Sequence, residues 1–255
     1  MYSAERRQEI LKLIEEDSRV SVAVLAARFD VSESSIRRDL NELHRLGLVQ
    51  RTYGGAIGYA NVSSEAPFNE RVVSRHDEKE RIGRAAARLV QPGDTIFVDG
   101  GTTTECMLSY LPVDAPLTVV TYGLNIVQRL VDQRTITVVL IGGILHPQTL
   151  TFGGVFAADS FECYSIRFDK AFIAATGVSA EAGITNAGFD EIPIKRRALR
   201  SARETILLAD SAKVGVIAAG VVAPLDELQR LITTLEAPEA ELERLRRHGV
   251  LVDMV

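Results

Sequence analysis

The chain has 255 residues, 46% apolar, 25% charged and 6% aromatic, with a formal charge of −5, proportions that fit one small module followed by one medium globular domain. The negative balance excludes a protein that coats nucleic acid by bulk electrostatics, so any contact with DNA must come from a local face. No apolar run approaches the roughly 20 residues needed to cross a bilayer. The first residues, Met1 to Leu13, are interrupted by Glu5, Arg6, Arg7, Glu9 and Lys12, so neither a signal peptide nor an anchor is expected and the location expected is the cytoplasm, with no membrane partner. Cys106 and Cys163 are too few for a disulfide framework or a four-cysteine zinc site and read as buried thiols. His44, His76, His146 and His248 show no HExxH-type spacing. No metal and no cofactor are expected.

Apolar residues recur at helical spacing over Ala4–Glu16, Val22–Phe29 and Glu33–Leu46, three short helices in a helix-turn-helix pattern. The third is bounded by its own chemistry, with Ser32 as an N-cap and Gly47 as a terminator. Ile36, Leu40 and Leu43 fall on one stripe, and the opposite arc gathers Ser34, Arg37, Arg38, Asn41 and Arg45. Asp39 and Glu42 are displaced to the flank. Guanidinium, carboxamide and hydroxyl groups on one face form the set that reads base edges or grips phosphate in a major groove. The plain alternative is a solvated face with an Arg38–Glu42 ion pair. The polar run Gln50-Arg51-Thr52-Tyr53-Gly54-Gly55 then reads as a strand and wing, with Arg51 and Tyr53 beside phosphates.

The stretch GGAIGYANVSSEAPFN, Gly54 to Asn69, has the composition of a linker, and the expected organisation is a DNA-binding module at 1–58, a linker at 59–75 and a larger domain at 76–255. There an amphipathic segment, Asp77–Val90, precedes seven candidate strands: Thr95–Asp99, Leu117–Thr121, Ile136–Ile141, Ala171–Ala175, Thr205–Ala209, Leu231–Thr233 and Val250–Val255. They are rich in Val, Ile, Leu and Thr and mostly apolar, as strands buried on both faces are. With helical patterns at Thr103–Leu111, Leu124–Val131, Ile194–Ala202 and Glu239–Arg247 between several of them, the expectation is an α/β domain with a parallel sheet.

The first of these strands runs into Gly100-Gly101-Thr102-Thr103, a turn whose amides and hydroxyls can hold an anionic oxygen where ligands of open α/β sheets collect. Asp99 repels phosphate and is assigned to sugar hydroxyls or to bracing the loop. The loop is neither GxGxxG nor GxxxxGK[ST]; a sugar-kinase phosphate loop and an ordinary tight turn stay open. Lys195 lies on the apolar side of its helix and Lys213 at a strand end, where each serves a phosphate or a structural ion pair.

The segments VSVAVLAARFDVSESSIRRDLNELHRLGLVQRTYGGA, FVDGGTTT, LTVVTYGLNIV, FDKAFIAATGVS and LLADSAKVG resemble the DeoR family of bacterial transcription regulators over nearly the whole chain. Ser35 stands where the family more often has threonine. The resemblance implies an N-terminal winged helix-turn-helix and a C-terminal effector domain whose fold resembles ribose-5-phosphate isomerases. It places Asp99 to Thr103, Tyr122, Asn125, Lys195 and Lys213 at the effector site and Ser34, Ser35 and their neighbours on DNA. The acidic DGADE and KGGGG segments of the isomerases are missing. The expected function is a DNA-binding regulator, a repressor of a sugar or polyol operon. It would act as a homo-oligomer, dimer or tetramer, on double-stranded operator DNA, modulated by a phosphorylated sugar or polyol. The alternative is a sugar-phosphate isomerase or kinase fused to a DNA-binding module, with Glu191 and Lys195 as its acid and base.

Overall fold

The computed structural model describes residues 3–17, 19–45, 49–52, 54–58, 66–112, 114–154, 157, 159–160 and 166–255. Two compact units divide the chain, 1–62 and 63–255.

In the first unit, α1 (Ser3–Asp17), α2 (Val22–Phe29) and α3 (Glu33–Arg45) accompany a small antiparallel sheet of β1 (Arg19–Ser21), β2 (Val49–Thr52) and β3 (Gly55–Gly58), in the order β1-β3-β2. Ser21 caps α2, its hydroxyl accepting from the Val24 amide at 3.3 Å, and Asp30 ends that helix in the left-handed conformation, φ +51°, a role its short polar side chain tolerates. Ile10, Leu13, Ile14, Leu25, Ile36, Leu40 and Leu43 close a single apolar core. At its edge the Arg6 guanidinium meets the Asp39 carboxylate at 2.6 Å, both side chains largely buried, so Asp39 ties α3 to α1.

In the second unit, β4 (Thr95–Val98), β5 (Leu117–Thr121), β6 (Ile136–Leu140), β9 (Phe168–Ile173), β12 (Ala202–Leu208), β14 (Arg230–Thr233) and β15 (Leu251–Met254) form one parallel sheet, in the order β15-β14-β12-β9-β4-β5-β6. Each of the seven expected strands is there. Alternate side chains serve two cores. Ile96, Val98, Val119, Phe172 and Ile206 pack beneath α5 (His76–Ala87), α6 (Thr102–Met107) and α7 (Leu124–Leu130). Phe97, Val120, Ala171, Ile173 and Leu207 pack on the other face with α8 (Ile192–Ser201) and α9 (Glu239–Arg247).

Three features had no counterpart in the sequence reading. A hairpin of β7 (Ile144–His146) and β8 (Thr151–Gly153) and a three-stranded antiparallel sheet of β10 (Gly177–Ser179), β11 (Gly183–Asn186) and β13 (Gly220–Ala223) flank the main sheet. Residues 66–75, read as linker, instead carry α4 (Phe68–Val73) within the second unit, where the Phe68 amide donates to the Gln148 carbonyl at 2.8 Å.

Candidate functional site

The α3 face follows from its cap. The Ser32 hydroxyl accepts from the Ser35 amide at 3.3 Å, fixing the helix start and turning Ile36, Leu40 and Leu43 into the core while Ser34, Arg37, Arg38 and Asn41 stand exposed and Ser35 half-buried. Arg37 pairs with Glu33 at 2.6 Å, not Arg38 with Glu42. Both partners are about half exposed, and an exposed i,i+4 pair contributes only about 0.3–0.5 kcal/mol, too little to withhold Arg37 from a phosphate or a guanine. Arg45 ends the helix and Arg51 lies in β2, but their side chains, together with Gly47 and Tyr53, lie outside the described residues.

The second site sits where the strand order turns. From β4 the chain builds outward through β5 to β6, then returns to β9 on the other side of β4, so the loops after β4 and β9 diverge and leave a crevice at the carboxyl edge. Only glycine fits on its floor. A Cβ at Gly101 would stand 2.4 Å from the Ala174 Cβ, and one at Gly100 would stand 2.6 Å from the Thr151 Cγ2. The cavity, about 710 Å³ including the space open to solvent, is lined by Asp99 to Thr103, Lys195 and Lys213 among the expected residues. Glu191, named above only as an acid or base of the enzyme alternative, also lines it, and the sequence reading missed Arg71, Ser74, Arg75, Lys79, Thr151 and Asp210. Of these, Arg71, Ser74 and Arg75 fell in the presumed linker.

The charges divide into braces and open groups. Lys195 is almost fully buried. Its Nζ lies 3.1 Å from Asp99 Oδ2 and 3.3 Å from Glu191 Oε2, and it donates to the Ala174 carbonyl at 2.9 Å and Asn186 Oδ1 at 3.1 Å. Three ammonium protons facing four acceptors are fully engaged. Asp99 in turn accepts from the Tyr122 hydroxyl at 2.5 Å and the Ala174 amide at 2.9 Å. Of its two assignments, the bracing one is what these bonds perform. Tyr122 and Asn125 stand behind the lining: Tyr122 holds Asp99, and the Asn125 amide donates to Glu105 at 2.9 Å. Lys79 is buried as well, its ammonium bonded to the carbonyls of Arg71 and Ser74; burial pushes its pKa down, against the raising effect of Asp210.

The open groups are different. The Thr104 hydroxyl is engaged by the carbonyls of Asp99 and Gly101 at 2.7 and 2.8 Å, whereas the hydroxyls of Thr102 and Thr103, on the lining, make no hydrogen bond among the described residues. Lys213 follows a turn in which Asp210 caps the Ala212 amide at 3.1 Å; it is half-buried and makes no ion pair among the described residues. Five cationic side chains line the cavity against three carboxylates. A positive excess in a protein of charge −5 focuses a field that attracts anions.

Comparison with known proteins matches both units of the chain. Residues 6–60 match the DeoR-like helix-turn-helix domain and residues 74–234 the DeoR C terminal sensor domain. The HTH-type transcriptional regulator YulB of Bacillus subtilis (strain 168) is 34% identical over all of this chain and 98% of its own. The glycerol-3-phosphate regulon repressor of Escherichia coli (strain K12) is 28% identical over the whole of both chains. Among solved structures, the full-length sorbitol operon regulator SorC from Klebsiella pneumoniae is 14% identical, covering 96% of this chain and 99% of its own with a TM-score of 0.43. With both domains matched in order, the chain belongs to the DeoR family of helix-turn-helix transcription regulators, and it is a regulator rather than an enzyme.

Proposed function

We propose that the protein represses a sugar or polyol operon, reading its operator through the outward face of α3 and releasing or retaining it according to a phosphorylated sugar or polyol held in the cavity of the second unit. Ser34, Ser35, Arg37, Arg38, Asn41 and Arg45, with Arg51 and Tyr53 on the wing, are assigned to DNA. In the cavity Gly100, Gly101, Thr102 and Thr103 offer amides and hydroxyls to the phosphate and Lys213 its charge. Asp99, Lys195, Tyr122 and Asn125 hold that loop in place. One winged helix reads few base pairs, so two modules on paired half-sites are needed, and the working form is a homo-oligomer, dimer or tetramer. A regulator of operator DNA works beside the chromosome, in the cytoplasm.

The observation that carries this reading is the division of charges in the cavity. Lys195 and Lys79 are consumed internally while, among the described residues, Lys213 makes no ion pair and the hydroxyls of Thr102 and Thr103, on the same lining, make no hydrogen bond. The name of the Escherichia coli relative, a glycerol-3-phosphate regulon repressor, supports a polyol phosphate as the class. The same engagement gives Lys195 a bracing role in this reading, in place of the acid or base role that an isomerase would give it. The test is a thermal-shift screen of sugar and polyol phosphates against their unphosphorylated parents. Ligand bound at 100 times its Kd stabilises by about 2.7 kcal/mol, and the expected hits are phosphorylated compounds only. Equal response to the parents, or turnover of a pentose phosphate, overturns the reading.

A further inference from the structure

A second cluster of reactive side chains lies where α5 packs on α6, outside the cavity lining. His76 and Glu80 stand one turn apart on α5, and Cys106 faces them from α6; one ligand atom from each lies within 4.8 Å of the others. The His76 Nε2 is 3.9 Å from Glu80 Oε1, while the Tyr110 hydroxyl donates to the other carboxylate oxygen at 2.6 Å and so orients the group. His76 is exposed and Cys106 largely buried, which gives an ion a route in from solvent and a partly desolvated seat.

We propose that His76, Glu80 and Cys106 form a zinc site with a fourth position open to water. A thiolate, an imidazole and a carboxylate are the donors of a borderline-soft, tetrahedral ion, whereas magnesium and calcium take oxygen alone. With metal-ligand bonds of about 2.0–2.3 Å, neighbouring donors in such a site stand about 3.3–3.8 Å apart, so side-chain rotation alone closes the gap from the observed spacing. Zinc displaces the thiol proton to solvent. Until then the thiol donates to the Thr102 carbonyl at 3.3 Å. The chain hides the site because Cys106 is remote in sequence from a histidine and glutamate that match no metal motif.

The test uses the full-length protein, kept reduced and titrated with Co²⁺ as a spectroscopic probe. The expected result is one Co²⁺ per chain, with a thiolate-to-cobalt charge-transfer band that Zn²⁺ displaces. Cys106→Ser loses the band and Cys163→Ser keeps it. The exposed His76→Ala weakens apparent affinity by more than about 10-fold, since loss of a ligand exceeds the loss of a supporting contact. Absence of the band in the parent, its survival in Cys106→Ser, or unchanged affinity in His76→Ala overturns the proposal. Far-UV circular dichroism and melting establish that each variant is folded.

Discussion

Replacing Lys195 by Met tests whether this lysine is a brace or a ligand contact. The substitution keeps the apolar stem and deletes an ammonium that lies 3.1 Å from Asp99 and 3.3 Å from Glu191 in a site excluded from water. Two carboxylates are then left facing each other with no cation between them, and removing one partner of a buried ion pair costs about 3–5 kcal/mol. The second unit, 63–255, is of a size that loses about 2–4 °C per kcal/mol, so its melting temperature is expected to fall by roughly 6–20 °C. Adding Glu191→Gln to Lys195→Met removes one stranded charge and recovers part of the loss, a coupling that a double-mutant cycle in scanning calorimetry measures. Lys213→Ala makes the opposite pattern: with no ion pair to lose among the described residues, melting stays within about 0.5 kcal/mol of the parent, while the shift caused by a sugar phosphate disappears. A Lys195→Met protein that melts with the parent but no longer responds to ligand refutes the assignment of roles.

Other perturbations bear on separate links of the argument. Arg38→Ala weakens operator binding by about 1–3 kcal/mol if the side chain reads a base; unchanged gel-shift affinity in both Arg38→Ala and Arg37→Ala removes α3 as the reading helix. Gly101→Ala drives a methyl group to 2.4 Å from the Ala174 Cβ and is expected to cost about 1–3 kcal/mol in denaturant unfolding; a neutral result shows that the β4 and β9 loops separate freely. Glu78, at the start of α5, accepts from the Ser211 amide at 2.9 Å, the Thr234 hydroxyl at 2.8 Å and Arg75 at 2.7 Å. Burial pushes its carboxyl up, but these bonds outweigh it and bring the pKa from 4.5 down to about 2. A depressed carboxyl stabilises the fold above its unfolded pKa and stops doing so as pH falls through the folded one. The parent should therefore exceed Glu78→Gln by about 3 kcal/mol at neutral pH, with the difference vanishing between about pH 4.5 and pH 2. A difference constant across that window refutes the network.

The inner parallel strands were legible because a strand buried on both faces is mostly apolar, as Thr205–Leu208 is; β6 and β15 lie at the sheet's edges and are only partly buried, and their runs of β-branched and aliphatic residues are what mark them. α3 was legible because its cap and its stripe agree. β10, β11 and β13 were not: three- and four-residue pieces containing Gly177, Gly183 and Gly220 carry no periodicity, and pairing with one another, not local preference, makes them strands. β1 escaped notice for the same reason. In the cavity, the Gly100–Thr103 turn could be read from one stretch of chain, whereas Thr151, Glu191 and Asp210 arrive from loops far apart in sequence. Nothing local marks Lys195 as saturated and Lys213 as open; both are lysines near the ends of elements, and the placement of Asp99, Glu191, Asn186 and the Ala174 carbonyl around Lys195 distinguishes them.

Helix α4 and the start of α5 give the cavity Arg71, Ser74, Arg75 and Lys79, while its other walls come from Gly100–Thr103 and Lys213. An anion seated as proposed would therefore stitch together three stretches of the second unit that are remote in sequence, and peeling α4 and α5 away from the sheet would cost more with it bound than without it.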